Sequence, residues 1–148
     1  MKITLCGSIA FYDEMLEAKK ALEKAGHEVK LPPNMVKNEA GEMFSVKEYY
    51  SKRKTATDNE TWVWDRKAEA IMNHFQKVSW ADAILVCNYD KRDIKDYIGG
   101  NTLMEMGIAF YLKKKIFLLN RIPELSYKEE ILGMKPVVVN RDLSLIKS

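Results

Sequence analysis

The residues best equipped for chemistry in this 148-residue chain gather around one carboxylate, in the stretch Tyr97-Ile98-Gly99-Gly100-Asn101-Thr102-Leu103-Met104-Glu105-Met106-Gly107. Paired glycines let a ligand approach the backbone closely, with Asn101 beside them, while Glu105 projects from the first turn of the helix that follows. An ionised carboxylate beside a sugar-sized cleft can attack an anomeric carbon or stabilise an oxocarbenium-like transition state. Thr102-x-x-Glu105 equally fits a capping box, in which the carboxylate would only return to the Thr102 backbone N–H. Residue types and spacing leave both readings open. Gly7-Ser8-Ile9 leads into a helix N-terminus, where free N–H groups and the helix dipole can hold a phosphate or carboxylate, unless Ser8 merely caps the helix. His74 carries an imidazole suited to general acid–base work. A single His on an amphipathic helix is more commonly a partly exposed or core-edge residue. Cys6 and Cys87 end two strands, lack C-x-x-C spacing and read as small buried hydrophobes lying close together.

Short β-type runs alternating with helical patterns must position these residues, and that alternation marks a parallel sheet covered on both faces. Lys2–Cys6 reads as the first strand. The next helix turns Met15, Ala18, Leu22 and Ala25 to one side and stops at Gly26, where a left-handed cap belongs. His27 sits in the turn into a second strand, Glu28–Leu31, and reads as structural. Pro32-Pro33 then opens a weakly periodic segment, Asn34 to about Asn59, of a size that is commonly functional or mobile. A helix from about Glu60 to Trp80 carries Trp64, Ala68, Ile71, Phe75 and Val78 inward. Ala83–Asn88 is continuously apolar up to Asn88, as a central parallel strand should be. Polar residues from Tyr89 to Gly100 feed a helix from about Thr102 to Leu112, with Leu103, Met106, Ala109 and Phe110 available to the core. Lys115–Leu119 and Pro136–Val139 complete five strands, with a short helix around Tyr127–Leu132. The expected fold is α/β, a flavodoxin-like or Rossmann-like three-layer sandwich on a five-stranded parallel sheet, forming one domain over residues 1–148. Ligands of such sheets bind beyond the carboxyl ends of the strands, which selects Gly7–Tyr12, Asn88–Glu105 and Asn120–Pro123.

Composition narrows the function classes. Apolar residues make up 47% of the chain, enough for a core without disulfides or structural metals. Against 24 Lys+Arg stand 21 Asp+Glu, interleaved to a net +3, so polynucleotide binding is not expected. No run of about 18 uncharged apolar residues spans a membrane. The Lys2–Ile9 start meets Asp13 and Glu14 at once without a small-residue cleavage site, which predicts a cytoplasmic protein with reduced thiols. Two cysteines form neither a disulfide framework nor a metal cluster, and neither metal nor cofactor is expected.

Leu5-Cys6-Gly7-Ser8-Ile9, Ala81-Asp82-Ala83-Ile84-Leu85-Val86 and Met104-Glu105-Met106-Gly107-Ile108-Ala109 occur in this order. Together they resemble the nucleoside 2-deoxyribosyltransferase family, especially its branch of 2′-deoxynucleoside 5′-phosphate N-hydrolases, over most of the chain except Asn34–Asn59. The resemblance implies a flavodoxin-like domain that cleaves or exchanges the N-glycosidic bond of a (deoxy)nucleoside or its monophosphate. It implies Glu105 as the nucleophile and Gly7, Ser8 and Ile9 near the phosphate or sugar, in a homodimer or larger assembly that shares its sites. The sequence departs from the family where an Asp precedes the Asp of the Ala-Asp pair by eight residues, a position held here by His74. It departs again six residues before the nucleophile, at Gly99. Asp90, Asp93 or Asp96 can fill the missing polar role, with Asp96 and His74 as candidate acids beside Glu105. Asn88, Gly99, Gly100 and Asn101 are candidate substrate contacts.

The 34–59 segment and its flank, with Tyr49, Tyr50, Lys52, Arg53, Lys54 and Trp62, suit a lid over a single nucleotide, its aromatics stacking on the base and a cation meeting the phosphate. A dimer contact or a solvated insertion fits the same residues. The two departures also leave room for a non-catalytic nucleotide-binding or sensing domain on the same fold. A flavin-type electron carrier is a more distant alternative that rests on fold alone.

Overall fold

Lys2 to Cys6 buries four of its five residues, as a strand covered on both sides must, and in the computed structural model it forms β1, Lys2–Cys6. The model describes all 148 residues. A 3-10 turn, Ile9–Phe11, leads into α1, Tyr12–Lys24, and β2 spans Glu28–Lys30. An antiparallel hairpin follows, β3, Met35–Lys37, with β4, Met43–Ser45, then α2, Val46–Thr55, and α3, Thr61–Trp80. The remaining elements are β5, Ala83–Val86; α4, Gly100–Tyr111; β6, Lys115–Leu118; α5, Lys128–Gly133; and β7, Val137–Val138. Strand order in the main sheet is β2-β1-β5-β6-β7 with every pair parallel, the doubly wound arrangement expected from the alternation.

Strand parity divides the core. Ile3, Leu5, Ala83, Leu85 and Cys87 pack with Met15, Ala18 and Leu22 of α1 on one face. Cys6, Ile84, Val86, Ile116 and Leu118 meet Val78 of α3, Met106 and Ala109 of α4 and Ile131 of α5 on the other. Each fully buried aliphatic side chain contributes about 1.5–3 kcal/mol, so these two layers are the main source of stability. Cys6 and Cys87 therefore leave the sheet on opposite faces, instead of lying side by side at the ligand edge.

Local signals set the ends of α1. Gly26 adopts φ +93°, and Gly26 N donates to the Glu23 carbonyl and His27 N to the Leu22 carbonyl, the paired bonds of a left-handed helix cap. Ala25, expected inward, is exposed at that cap. The stripe on α3 is rotated by about one residue from its expected position. Val63, His74 and Val78 are its buried residues, whereas Ala68 is exposed and Trp64 only partly covered. Thr4 fixes this rotation by donating its hydroxyl from inside β1 to the Lys77 carbonyl at 2.7 Å, while Lys77 Nζ donates to the Leu31 carbonyl at 2.7 Å. Phe110 is 52% exposed and lies outside the core. The 34–59 segment is not irregular. Gly41 at φ +84° closes the hairpin, and the Ser45 hydroxyl accepts from Glu48 N to start α2. No helix is long and apolar enough to cross a membrane.

Two glycines should respond oppositely to substitution. A Cβ on Gly7 would lie 3.0 Å from the Cys87 carbonyl oxygen and 3.4 Å from Met15 Sδ, whereas one on Gly107 would meet nothing within 4 Å. In urea unfolding Gly7→Ala is expected to cost about 1–3 kcal/mol, and Gly107→Ala, inside α4, to add about 0.5–1 kcal/mol.

Candidate active site

Strand order reverses between β1 and β5, and the loops leaving these two strands build one wall of a cavity of ≈ 370 Å³. Its size suits a small-molecule ligand. Gly7 lets the first loop pass against the Cys87 carbonyl, setting Ser8 and Ile9 on the cavity surface. The β5–α4 loop is braced by Asn88, which is fully buried. Asn88 Oδ1 accepts from Asn120 N at 2.9 Å, and Nδ2 donates to the Arg121 carbonyl at 2.8 Å and to the Asp96 carbonyl at 3.3 Å. Asn88 thus straps loops together and does not line the cavity. Asp96 is also absent from the lining; its backbone, at φ 57°, donates to Asp90 Oδ1.

Glu105 does not cap its helix. α4 begins at Gly100, two residues earlier than the sequence suggests, with Gly99 as N-cap. That start places Glu105 beyond the first turn, too deep for the capping-box return to Thr102. Its side chain instead crosses toward α3 and is 12% exposed, with Oε2 3.7 Å from His74 Nε2. Cys6 Sγ is 3.6 Å from the same Nε2, so the end of β1 supplies the floor beneath the carboxylate. Gly99, Gly100, Asn101 and Thr102 reach the cavity alongside it.

The structure therefore brings together Glu105, His74, Gly7, Ser8, Ile9, Gly99, Gly100 and Asn101 on one cavity, and leaves Asn88 and Asp96 outside its wall. It also recruits residues from the 34–59 segment, including Val36, Tyr49, Tyr50 and Arg53. Sequence reasoning missed Lys67, Lys91 and the partnership of Cys6 with Glu105. Lys67 lies one helical repeat from His74 on α3, a spacing that would have flagged it once His74 was placed inward. Lys91 had no comparable signal, because its position depends on a two-residue turn.

Burial governs the protonation of this cluster. It pushes the Glu105 carboxyl up to about 8, against the opposing Cys6 hydrogen bond and Lys67 charge. It pushes His74 down to about 4, with the Lys77 charge adding to the effect. Lys67 is lowered to about 8, by burial and then by Arg53. The Cys6 thiol is held well above its usual range by burial and by Glu105. At neutral pH His74 and Cys6 are therefore neutral, and their contact with Glu105 is not an ion pair. The donor atoms of Cys6, His74 and Glu105 lie within 4.8 Å of one another, a spacing three metal ligands can adopt. His74 Nδ1, however, lacks the hydrogen-bond acceptor that ordinarily orients a metal-ligating imidazole.

A carboxyl that binds its proton more tightly folded than unfolded destabilises the fold progressively as pH rises from about 4.5 through about 8. Neutral His74 acts in the opposite sense between about 4 and 6.5, so wild type against Glu105→Gln isolates the carboxyl. Glu105→Gln is expected to gain stability over wild type across this range, reaching roughly 2–4 kcal/mol in urea unfolding above pH 8.

No family model and no curated protein matches this sequence. Solved structures do match its backbone. A 2-deoxyribosyltransferase from the psychrotolerant bacterium Bacillus psychrosaccharolyticus superposes with a TM-score of 0.50 at 18% identity, over 80% of this chain and 72% of that one. The CMP N-glycosidase BcmB of Clostridium botulinum superposes with a TM-score of 0.52 at 14% identity, over 99% of this chain and 100% of that one. The backbone of this chain has the nucleoside 2-deoxyribosyltransferase-like fold of these two structures.

Proposed function

We propose that this protein cleaves or exchanges the N-glycosidic bond of a nucleoside or nucleoside 5′-monophosphate, with Glu105 as the nucleophile. The observation that carries this reading is the Glu105 carboxylate, turned away from its own helix N-terminus and into a nucleotide-sized cavity. The fold shared with a deoxyribosyltransferase and a CMP N-glycosidase supports it. Ionised Glu105 attacks C1′ as the C1′–N bond breaks and its electron pair leaves with the base. The departing base takes up a proton, and water, or a second base in a transfer, then attacks C1′ of the glycosyl ester and releases the carboxylate. Lys67 favours the ionised form of Glu105 through its charge. His74, neutral at physiological pH, orients and desolvates the carboxylate and is not a cationic proton donor.

A second reading has one observation in its favour. Glu105 is the only carboxylic acid on the cavity wall, so no second carboxyl is in place to protonate the leaving base. A nucleotide-binding or sensing domain needs none.

Incubation with nucleosides and 5′-monophosphates of both sugars, followed by chromatography of the free base, separates the two. The N-glycosidic reading expects base release that Glu105→Gln lowers by at least about 10³-fold. Activity unchanged by that substitution removes the nucleophile, and saturable binding without base release favours the sensor. Because the attacking species is the deprotonated carboxyl, kcat/KM should rise about tenfold per pH unit and level off near pH 8. The reading includes a homodimer or larger assembly, for which sedimentation should find no monomer at micromolar concentration.

A further inference from the structure

Cys6, His74 and Glu105 come from three separate elements, the end of β1, α3 and α4, and converge where His74 and Glu105 line the cavity. Strand parity sends Cys6 to the face packed by these two helices, among Val78 and Met106. Contacts within the trio are long. His74 Nε2 lies 3.6 Å from Cys6 Sγ and 3.7 Å from Glu105 Oε2. One ring nitrogen serves a single in-plane hydrogen bond, so Nε2 does not satisfy both neighbours at once. Glu105 has no other ion-pair partner within 4.0 Å.

The same spacing suits a metal ion, which all three donors would bind together. A tetrahedral zinc ion, with sulfur at about 2.3 Å and nitrogen or oxygen at about 2.0–2.2 Å, holds sulfur and nitrogen about 3.6 Å apart and nitrogen and oxygen about 3.4 Å apart. Two edges of that tetrahedron are thus nearly drawn. The three donor atoms lie within 4.8 Å of one another, and the third edge closes by a swing of the Glu105 carboxyl, the most exposed of the three. A thiolate, an imidazole and one carboxylate form a donor set for a borderline-soft ion, whereas Mg²⁺ and Ca²⁺ take oxygen ligands. Because Glu105 and His74 both line the cavity, the fourth position opens onto it.

Coordination here is an exchange. Cys6 and Glu105 each give up a proton to solvent as a doubly charged ion enters, so the cluster gains no net charge. Binding through Nε2 leaves the ring proton on Nδ1, which has no acceptor. A missing outer partner of this kind costs about 10–100-fold in affinity. The charge of Lys67 also acts on the same carboxylate. Binding in the range of about micromolar follows, weaker than at a closed structural zinc site.

We propose that Cys6, His74 and Glu105 bind one zinc-class divalent cation, with the fourth coordination position facing the cavity. Bound metal occupies the Glu105 electron pair that the glycosidic reading assigns to attack on C1′, so on that reading the ion is a reversible inhibitor. Only this consequence rests on the reading; the site stands on its own geometry.

The test is titration of the chelator-washed full chain with Co²⁺ as a spectroscopic probe, followed by Zn²⁺. One equivalent of Co²⁺ should produce a thiolate-to-cobalt charge-transfer band and the intense visible bands of a four-coordinate ion. One equivalent of Zn²⁺ should bleach them, and Mg²⁺ and Ca²⁺ should not. Cys6→Ser should abolish the charge-transfer band, and His74→Gln and Glu105→Gln should each weaken binding about tenfold or more. Cys87→Ser should leave the spectrum unchanged, because Cys87 packs on the opposite face of the sheet. No saturable binding, the pale spectrum of a six-coordinate ion, more than one equivalent bound, or a charge-transfer band that survives Cys6→Ser overturns the site. The wild-type spectrum decides by itself, so a misfolded variant does not spare the proposal. Base release that one equivalent of Zn²⁺ stops and a chelator restores supports both the site and the glycosidic reading. Base release at full rate from the zinc-loaded protein leaves the site standing and removes Glu105 as nucleophile; base release without the cobalt signature does the reverse.

Discussion

The burial of one carboxyl group constrains most of what surrounds it. Glu105 sits at the carboxyl edge of a sheet whose central strands are wholly covered, over Cys6 and against His74. Removing a carboxylate from water without a close cationic partner is costly, and the protein meets that cost by raising the group's proton affinity. Neutral neighbours make this tolerable. His74 is itself stripped of charge by burial, and the Cys6 thiol keeps its proton, so nothing beneath the carboxyl competes for ionisation. Lys67 is the exception, and its own proton is loosened into the same range as that of Glu105.

The rest of the edge is organised around keeping this group accessible from one side only. Thr4, a polar residue inside β1, spends its hydroxyl on the Lys77 carbonyl and so sets the rotation of α3 that turns His74 inward. Asn88 ties the loops after β5 and β6 together, leaving the segment before α4 free to form its tight turn. The hairpin and α2 then close the opposite side and bring tyrosines and Arg53 to the cavity. The cavity wall thus carries one carboxyl, Glu105, together with the cations Arg53, Lys67 and Lys91.

Much of the architecture is legible in the sequence, for identifiable reasons. Continuous apolar runs mark β1 and β5, and alternation with helices marks the sheet as parallel and covered on both faces. Gly26 ends α1 where its backbone freedom is needed. Where the reading slipped, local patterns were weak or ambiguous. The 34–59 segment alternates too little to show a short hairpin, and the Ser45 cap that starts α2 goes unread among its mixed charges. On α3, Trp64 and Ala68 suggest one stripe and Val63 and His74 another, and only packing chooses between them. α4 starts two residues before Thr102, and that offset separates a helix cap from a residue facing a cavity.

From sequence alone come the doubly wound class, the edge at which a ligand belongs, and the residue types able to act there: a carboxylate, an imidazole and a glycine-lined turn. Those follow from periodicity and from chemistry carried within a few neighbouring residues. Tertiary structure decided that Glu105 faces His74 and Cys6, that Asn88 and Asp96 lie outside the cavity wall, and that Lys67, Lys91 and Arg53 line it. These are long-range facts, joining residues tens of positions apart through strand parity, helix rotation and a turn with two left-handed residues. No short stretch of sequence encodes them, because each is set by how separate elements pack and not by the preferences of any one.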